Sequence, residues 1–383
     1  MIEFKIFNTH SQLPITWDDF VAHDVFLQSQ YFKAVEVASP ENISWYYVGI
    51  FKAEKLVGVF IVQRVQLYLE DIFRNPKDSC TKQQLKHHIS KLLKGNILVV
   101  GNLMHTGQHG LFYDTDKLSG KAFINVVFKA LNSVKKEIKK SSNKSIRTFL
   151  LKDYFDTDAI HENAKTFKKL KFHKVSVQPN MILPISWHTF DDYKTNLTKK
   201  YRQRLNSARK KASVIVKKEL TLQDIETHQN RLFELYKNVS DNAKINTFLL
   251  PKGHFLSLKQ HLGTNFKVFG YFLNDVLIGF YTLIINKKVL ETYFLGYDSS
   301  HQYTYQLYLN MLYDMLEFGI NNQLNSIVYA RTAMEIKSSV GAKPELMSMY
   351  MKHTNMVLNS VLQIIFNTMN PTQDWEERHP FKS

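Results

Sequence analysis

The densest set of residues able to do chemistry lies late in the chain. Arg331, Thr332, Glu335 and Lys337 follow the apolar run Ser326–Tyr329 and lead into Ser338, Ser339, Val340 and Gly341. Polar side chains just beyond the carboxyl end of an α/β strand are well placed to form a site, because loops and helix termini converge there. The same residues also suit a capped helix with surface charges, and their spacing leaves both readings open. A second set is the segment Lys199–Lys218, with nine basic residues and no acidic one. Within and around it Leu197, Tyr201, Leu205, Ala208, Ala212 and Ile215 recur at four- and three-residue steps, the pattern of a helix with one docked face and cations elsewhere. Nine like charges without an acidic partner repel one another, which sets a phosphate-rich partner against the alternative of a solvated face. A third candidate is the glycine-bearing loop from His105 to Phe112, which could approach a ligand with backbone amides or be a simple turn.

Other chemistries find no support. No metal-ligand cluster stands out, since His87 and His88 are adjacent instead of one helical turn apart. There is neither a Gly-x-Ser-x-Gly elbow nor a Gly-x-x-x-x-Gly-Lys-Ser/Thr phosphate loop. The single cysteine, Cys80, forms no internal disulfide and is expected to be an inert thiol in a reducing compartment. Lys and Arg number 50 against 34 Asp and Glu, a formal charge of +16. That excess favours nucleic acid, phosphorylated ligands or an anionic membrane surface as partners. Met1–Asn8 lacks a secretory pattern and no apolar run approaches roughly 18 residues, so the expected location is cytoplasmic, or peripheral at the inner membrane face.

The elements that must position these residues repeat. Phe266–Leu273 and Val276–Ile285 flank Asn274 and Asp275 as a hairpin; a strand Val289–Tyr297, a helix Gln302–Phe318, a strand Ser326–Tyr329, a short helix and a strand Leu346–Lys352 follow. The first half gives the same order: hairpin Trp45–Tyr68, strand Ile97–Gly101, helix Lys121–Lys140, strand Ile146–Leu151, helix Thr157–Leu170 and strand Val175–Ile185. Gly49 and Gly58 are spaced like Gly270 and Gly279, which with the shared order points to a duplicated unit. The chain is expected to be α/β, with a first domain over 1–190 and a second over 191–383 that opens with the basic helix. The apolar helix near Asn355–Phe366 is expected to pack in a core, and the segment after about 353 could fold back onto the first domain.

This pattern resembles the tandem GNAT architecture of the Fem-type aminoacyltransferases (FemA, FemB, FemX) and their N-acetyltransferase relatives. Three motifs carry the likeness: the basic helix from Leu197 to Lys211, the step Tyr297-Asp298 before a long helix, and Glu335-Ile336-Lys337-Ser338-Ser339-Val340-Gly341 after the fourth strand. The likeness is best over about 190–352. It implies two GNAT-like domains, each a mixed, mostly antiparallel sheet flanked by helices. It also implies transfer of an acyl group to an amine of a cell-envelope precursor, glycan or lipid, from acyl-CoA, with no metal. The alternatives are an aminoacyl-tRNA-dependent transferase acting on a peptidoglycan precursor, and a non-catalytic module binding nucleic acid or anionic membrane. By resemblance Lys337 lies near phosphate-bearing substrate, where a cation neutralises phosphate and stabilises an oxyanion. Proton removal from the amine needs a base, for which Glu335, Asp298 or a water relay is a candidate. Arg331, Tyr297, Tyr329, Gly341, Lys199, Arg202 and Arg209 are the expected binding residues. The stretch Asp298–Tyr305 departs from the GNAT pyrophosphate loop in having no glycine, and Ile336 stands where an aromatic residue often precedes the motif lysine.

Overall fold

The computed structural model describes residues 1–67, 95–242, 246–369 and 375–382, so Cys80, His87, His88 and the connection Arg74–Lys94 lie outside the described residues. Thirteen strands are described: β1 (Ile2–Phe7), β2 (Ile43–Lys52), β3 (Lys55–Leu67), β4 (Gly95–Val100), β5 (Leu111–Tyr113), β6 (Ile146–Phe155), β7 (His173–Pro184), β8 (Val216–Glu219), β9 (Phe266–Leu273), β10 (Val276–Asn286), β11 (Val289–Tyr297), β12 (Ser326–Val328) and β13 (Lys343–His353). The chain forms two compact units, one of Met1–Gln178, Ala243–Leu250 and Leu346–Thr372, the other of Pro179–Asn242, Pro251–Glu345 and Gln373–Ser383.

In the first unit the strand order is β1-β2-β3-β4-β6-β13, with β5 added to β3. Every pair is antiparallel except β4 with β6. The helix Gly120–Ser142 starts at Ser119, whose hydroxyl accepts from the Ala122 amide, and ends at Asn143 in a left-handed conformation. Its buried stripe of Phe123, Val126, Val127, Ala130, Leu131, Val134 and Ile138 packs on the sheet with Val48, Phe60, Leu98 and Leu151. In the second unit the order is β7-β12-β11-β10-β9-β8, antiparallel except for β11 with β12. The helix Leu307–Asn321 fills the core here, joined by Tyr193, Tyr201, Leu205 and Ala208.

The duplication extends to register. Gly49 sits opposite Val59 and Gly58 opposite Ile50; Gly270 sits opposite Phe280 and Gly279 opposite Tyr271. Both hairpins turn through two residues of positive φ, Ala53 and Glu54 in one, Asn274 and Asp275 in the other, a geometry that matches the strand twist. The closing strand of each repeat completes the other unit: β13, late in the chain, pairs with β6, and the end of β7 pairs with β12.

Three expected elements differ. The basic helix stops at Lys211; Val214, Ile215 and Val216 are β-branched, and the chain there extends into β8 against β9. The helix expected over Gln302–Phe318 is two, Ser299–Tyr305 and Leu307–Asn321, broken at Gln306, whose φ of 49° lies outside the helical region. The helix expected over Thr157–Leu170 is a 3₁₀ turn, Ala159–Asn163, followed by Ala164–Lys169. Among the described residues no helix is long and apolar enough to cross a membrane.

Candidate functional site

The chain beyond β12 runs through a tight loop into the short helix Met334–Ser338. Ala330, Thr332 and Ala333 have φ of 60°, 66° and 47°. Left-handed backbone costs a non-glycine residue about 1 kcal/mol, and three such residues in four positions persist only where the surroundings fix them. Part of what fixes them is Lys337. Its side chain is 4% exposed, and its Nζ donates to the carbonyl oxygens of Arg331 at 2.6 Å and Ala330 at 3.2 Å. Burial pushes the Lys337 amine down to about 7, so near neutral pH it can exist with or without its proton. Burial likewise lowers the Arg331 guanidinium, to about 10.

Glu335 and Lys337 are two residues apart on this helix and so point to different sides. Glu335 faces a cavity of about 560 Å³ in the second unit. Its walls are Lys200, Tyr201 and Arg204 from the basic helix, Ala333, Met334, Glu335 and Ile336 from the loop and short helix, and Trp375 and Arg378 from the C-terminal segment. That segment is fastened at both ends of the wall. The Thr198 amide donates to Pro380, the Lys382 amide to Asn196, and Phe381 forms a bridge with Leu197. The Arg378 amide donates to Ser338 Oγ, and its guanidinium pairs with Glu335. Gly341 makes the docking possible: its φ is 107°, and a Cβ there would stand 2.3 Å from Phe381 Cζ.

No protein-family model matches the chain, and no curated protein matches its sequence. Solved structures match it in fold. The crystal structure of FemX aligns with a TM-score of 0.57 and 11% identity, covering 92% of this chain and 99% of that one. The tandem GNAT protein from the clavulanic acid biosynthesis pathway, solved without AcCoA, aligns with a TM-score of 0.50 and 9% identity over 93% and 99%. The chain has the tandem fold that these two structures share. At these identities the likeness is one of fold.

On this frame the residues singled out from sequence fall into two groups. Glu335 is a cavity wall, and Lys337 and Arg331 lie in the loop and helix beside it. Lys199 is exposed and Arg202 half-buried on the basic helix, but its cavity-facing cations are their neighbours Lys200 and Arg204. The remaining residues do structural work. Arg209 donates to Asp314 at 2.8 Å, Asn310 at 3.3 Å and Glu317 at 3.3 Å, tying the basic helix to Leu307–Asn321. Asp314, buried, also accepts from Lys217 at 3.1 Å and from the Tyr271 hydroxyl. Asp298 caps the helix Ser299–Tyr305, accepting from the Ser300 amide at 3.0 Å and hydroxyl at 2.6 Å, and pairs with Arg231 at 3.1 Å. Those hydrogen bonds, led by the Ser300 hydroxyl, hold its carboxyl at about 2, which makes it a weak base. Tyr329 is core, its hydroxyl donating to the Leu312 carbonyl, while Tyr297 is half-buried against Tyr308. Gly341 serves the docked C-terminal segment, as its contact with Phe381 requires.

The sequence reading missed Trp375 and Arg378, some forty residues from the short helix. It could have found Lys200 and Arg204, which flank the docked positions Tyr201 and Leu205 at a one-turn spacing. The loop from His105 to Phe112 is bound down as a turn in the first unit. Lys152 Nζ donates to the carbonyls of His105 and Gly107, the Gly107 amide donates to Asp153, and Gly110 lies against Gly101. Among the described residues no group of three or more His, Cys, Asp or Glu is arranged to hold a metal ion.

Proposed function

We propose that the chain is an N-acyltransferase that moves an acyl group, from acyl-CoA, to an amine of a cell-envelope precursor, glycan or lipid. The observation that carries this reading is a five-residue helix that offers Glu335 to a cationic cavity and carries the buried Lys337 two residues further on. Attack of an amine on a thioester needs three things from the protein. A base must take the proton, and Glu335 has a half-exposed side chain in the cavity wall. Positive charge must meet the phosphates of the donor, and Lys200, Arg204 and Arg378 supply it. A donor must meet the negative charge that develops on the carbonyl oxygen; Lys337, with Arg331 in the same loop, is the group we assign to this task.

One observation favours a second reading, in which the acyl donor is an aminoacyl-tRNA. Lys199, Lys210 and Lys211 are exposed on the same helix that lends Lys200 and Arg204 to the cavity, a cationic track suited to a polynucleotide backbone. A thermal-shift series with CoA, acetyl-CoA, longer acyl-CoAs, and charged and uncharged tRNA separates the two. A ligand at about 100 times its dissociation constant adds roughly 2.7 kcal/mol, a shift of several degrees. Stabilisation by a CoA ester, followed by acyl transfer to an amine that K337M abolishes, is the expected result. Stabilisation by charged tRNA alone replaces it with the second reading, and no shift with any donor overturns both.

A further inference from the structure

The cavity already holds an anion, and that anion is the protein's own. Arg378 directs both Nε, at 3.1 Å, and Nη2 at a single oxygen of Glu335, Oε1. Its Nη1 meets the exposed Glu376 at 2.6 Å. Lys200 and Arg204, in the same cavity wall, have no acidic partner among the described residues; the Lys200 ammonium sits 5.6 Å from the Tyr201 ring centre. Three cations therefore face a space that contains one carboxylate. The hydrogen bond to Glu335 also raises the Arg378 guanidinium, so this cation is permanent at any working pH.

We propose that this cavity is a phosphate-binding site in which Glu335 is the resident stand-in: a phosphate-bearing ligand takes Arg378 from Glu335 and leaves that carboxylate unpaired beside the ligand. Three features support the exchange. A guanidinium fork pairs with phosphate oxygens as well as it does with a carboxylate, so Arg378 loses nothing in changing partners. A half-exposed ion pair is worth little, so its opening is easily offset. The ligand, unlike Glu335, also meets Lys200 and Arg204. Arg378 is held independently of Glu335 by its own amide on Ser338 and by the docking of Pro380 and Phe381, so the fork stays in place when the carboxylate leaves. The C-terminal segment is on this account a working wall of the site, and ligand binding is what makes Glu335 available. The exchange does not depend on the acyl-transfer reading, because it concerns the phosphate alone.

The test is calorimetric titration of the full chain with inorganic pyrophosphate at roughly 50 mM salt, where exposed charge is only partly screened. E335Q removes the competing carboxylate and is expected to bind about 5-fold more tightly than the wild type. R378A is expected to bind at least 10-fold more weakly, and the double variant E335Q/R378A should match R378A, because without the fork there is nothing to compete for. R378K, which keeps the charge but not the fork, should fall between and guards against a folding defect in R378A. E376Q removes only the exposed carboxylate on Nη1, outside the wall, and should gain less than E335Q. ADP in place of pyrophosphate tells whether a nucleotide adds affinity at the same residues. An unchanged or weakened E335Q, an E376Q that gains as much as E335Q, an R378A that binds like the wild type, or no saturable pyrophosphate binding each overturns the proposal. Transfer assays can fail while the exchange holds, and the reverse, so the two conclusions are separable.

Discussion

Replacing Lys337 by Met asks whether the buried amine is in fact held near neutrality. Met has similar length, favours a helix and adds no charge. Burial takes the amine from its ordinary 10.5 to about 7. At about 1.4 kcal/mol per tenfold change in acidity, bringing the charged form into the fold then costs roughly 5 kcal/mol below pH 7. The unfolded chain keeps this proton up to about pH 10.5, whereas the folded chain releases it near 7. Between those values the unfolded state holds more protons, so wild-type stability rises with pH. K337M has no such proton. It should be more stable than the wild type at about pH 6.5, and the gap should narrow by roughly 1.4 kcal/mol per pH unit, about 3 kcal/mol between pH 7.5 and 9.5. Denaturant titrations of both proteins at matched salt, followed by circular dichroism, read the difference directly. A gap that stays constant across that range would refute the argument. It would mean that the Ala330 and Arg331 carbonyls keep the ammonium charged, and that Lys337 serves as a fixed cation.

The other structural assignments have tests of their own. G341A places a Cβ against Phe381 at a positive φ and should lose roughly 2–4 kcal/mol in denaturant unfolding, with faster proteolytic loss of the C-terminal segment. R209A leaves Asp314 buried with fewer donors and should lose about 2–4 kcal/mol while pyrophosphate affinity stays within 2-fold; a selective loss of affinity would return Arg209 to the ligand site. D298A removes a helix cap and should cost about 0.5–2 kcal/mol, with transfer per folded molecule nearly unchanged; because its carboxyl is held at about 2, the contribution is present above pH 4 and fades only as pH falls toward 2. An inactive but folded D298A would make Asp298 the base after all.

What was legible in the sequence was whatever depends on neighbours along the chain. The hairpin at Asn274 and Asp275 and the matching glycine spacing gave the repeat, because turn chemistry and strand period are local properties. The buried face Tyr201, Leu205 and Ala208 of the basic helix was equally local. The end of that helix was not, since the chain turns after Lys211 and from Val216 extends along the edge that β9 offers. The role of Arg209 was hidden for a similar reason: a run of cations looks uniform until Asp314 and Glu317 arrive from a helix a hundred residues later. Arg378 and Trp375 were the least legible. They enter the cavity wall because the segment around Phe381 docks against Gly341, Leu197 and Asn196, contacts that neither residue type announces.

The exchanged closing strands set a timetable for synthesis. The largely buried strand β6 of the first unit needs β13 beside it, and about 200 residues separate the two in the chain. At roughly 5–20 residues per second the ribosome leaves that apolar edge unpaired for about 10–40 s, long enough for a stray strand to dock there. The nascent first half is therefore a natural client for chaperones. A fragment cut at residue 190 would carry the same open edge permanently, and should be recovered from cells as aggregate unless residues 346–372 are supplied with it.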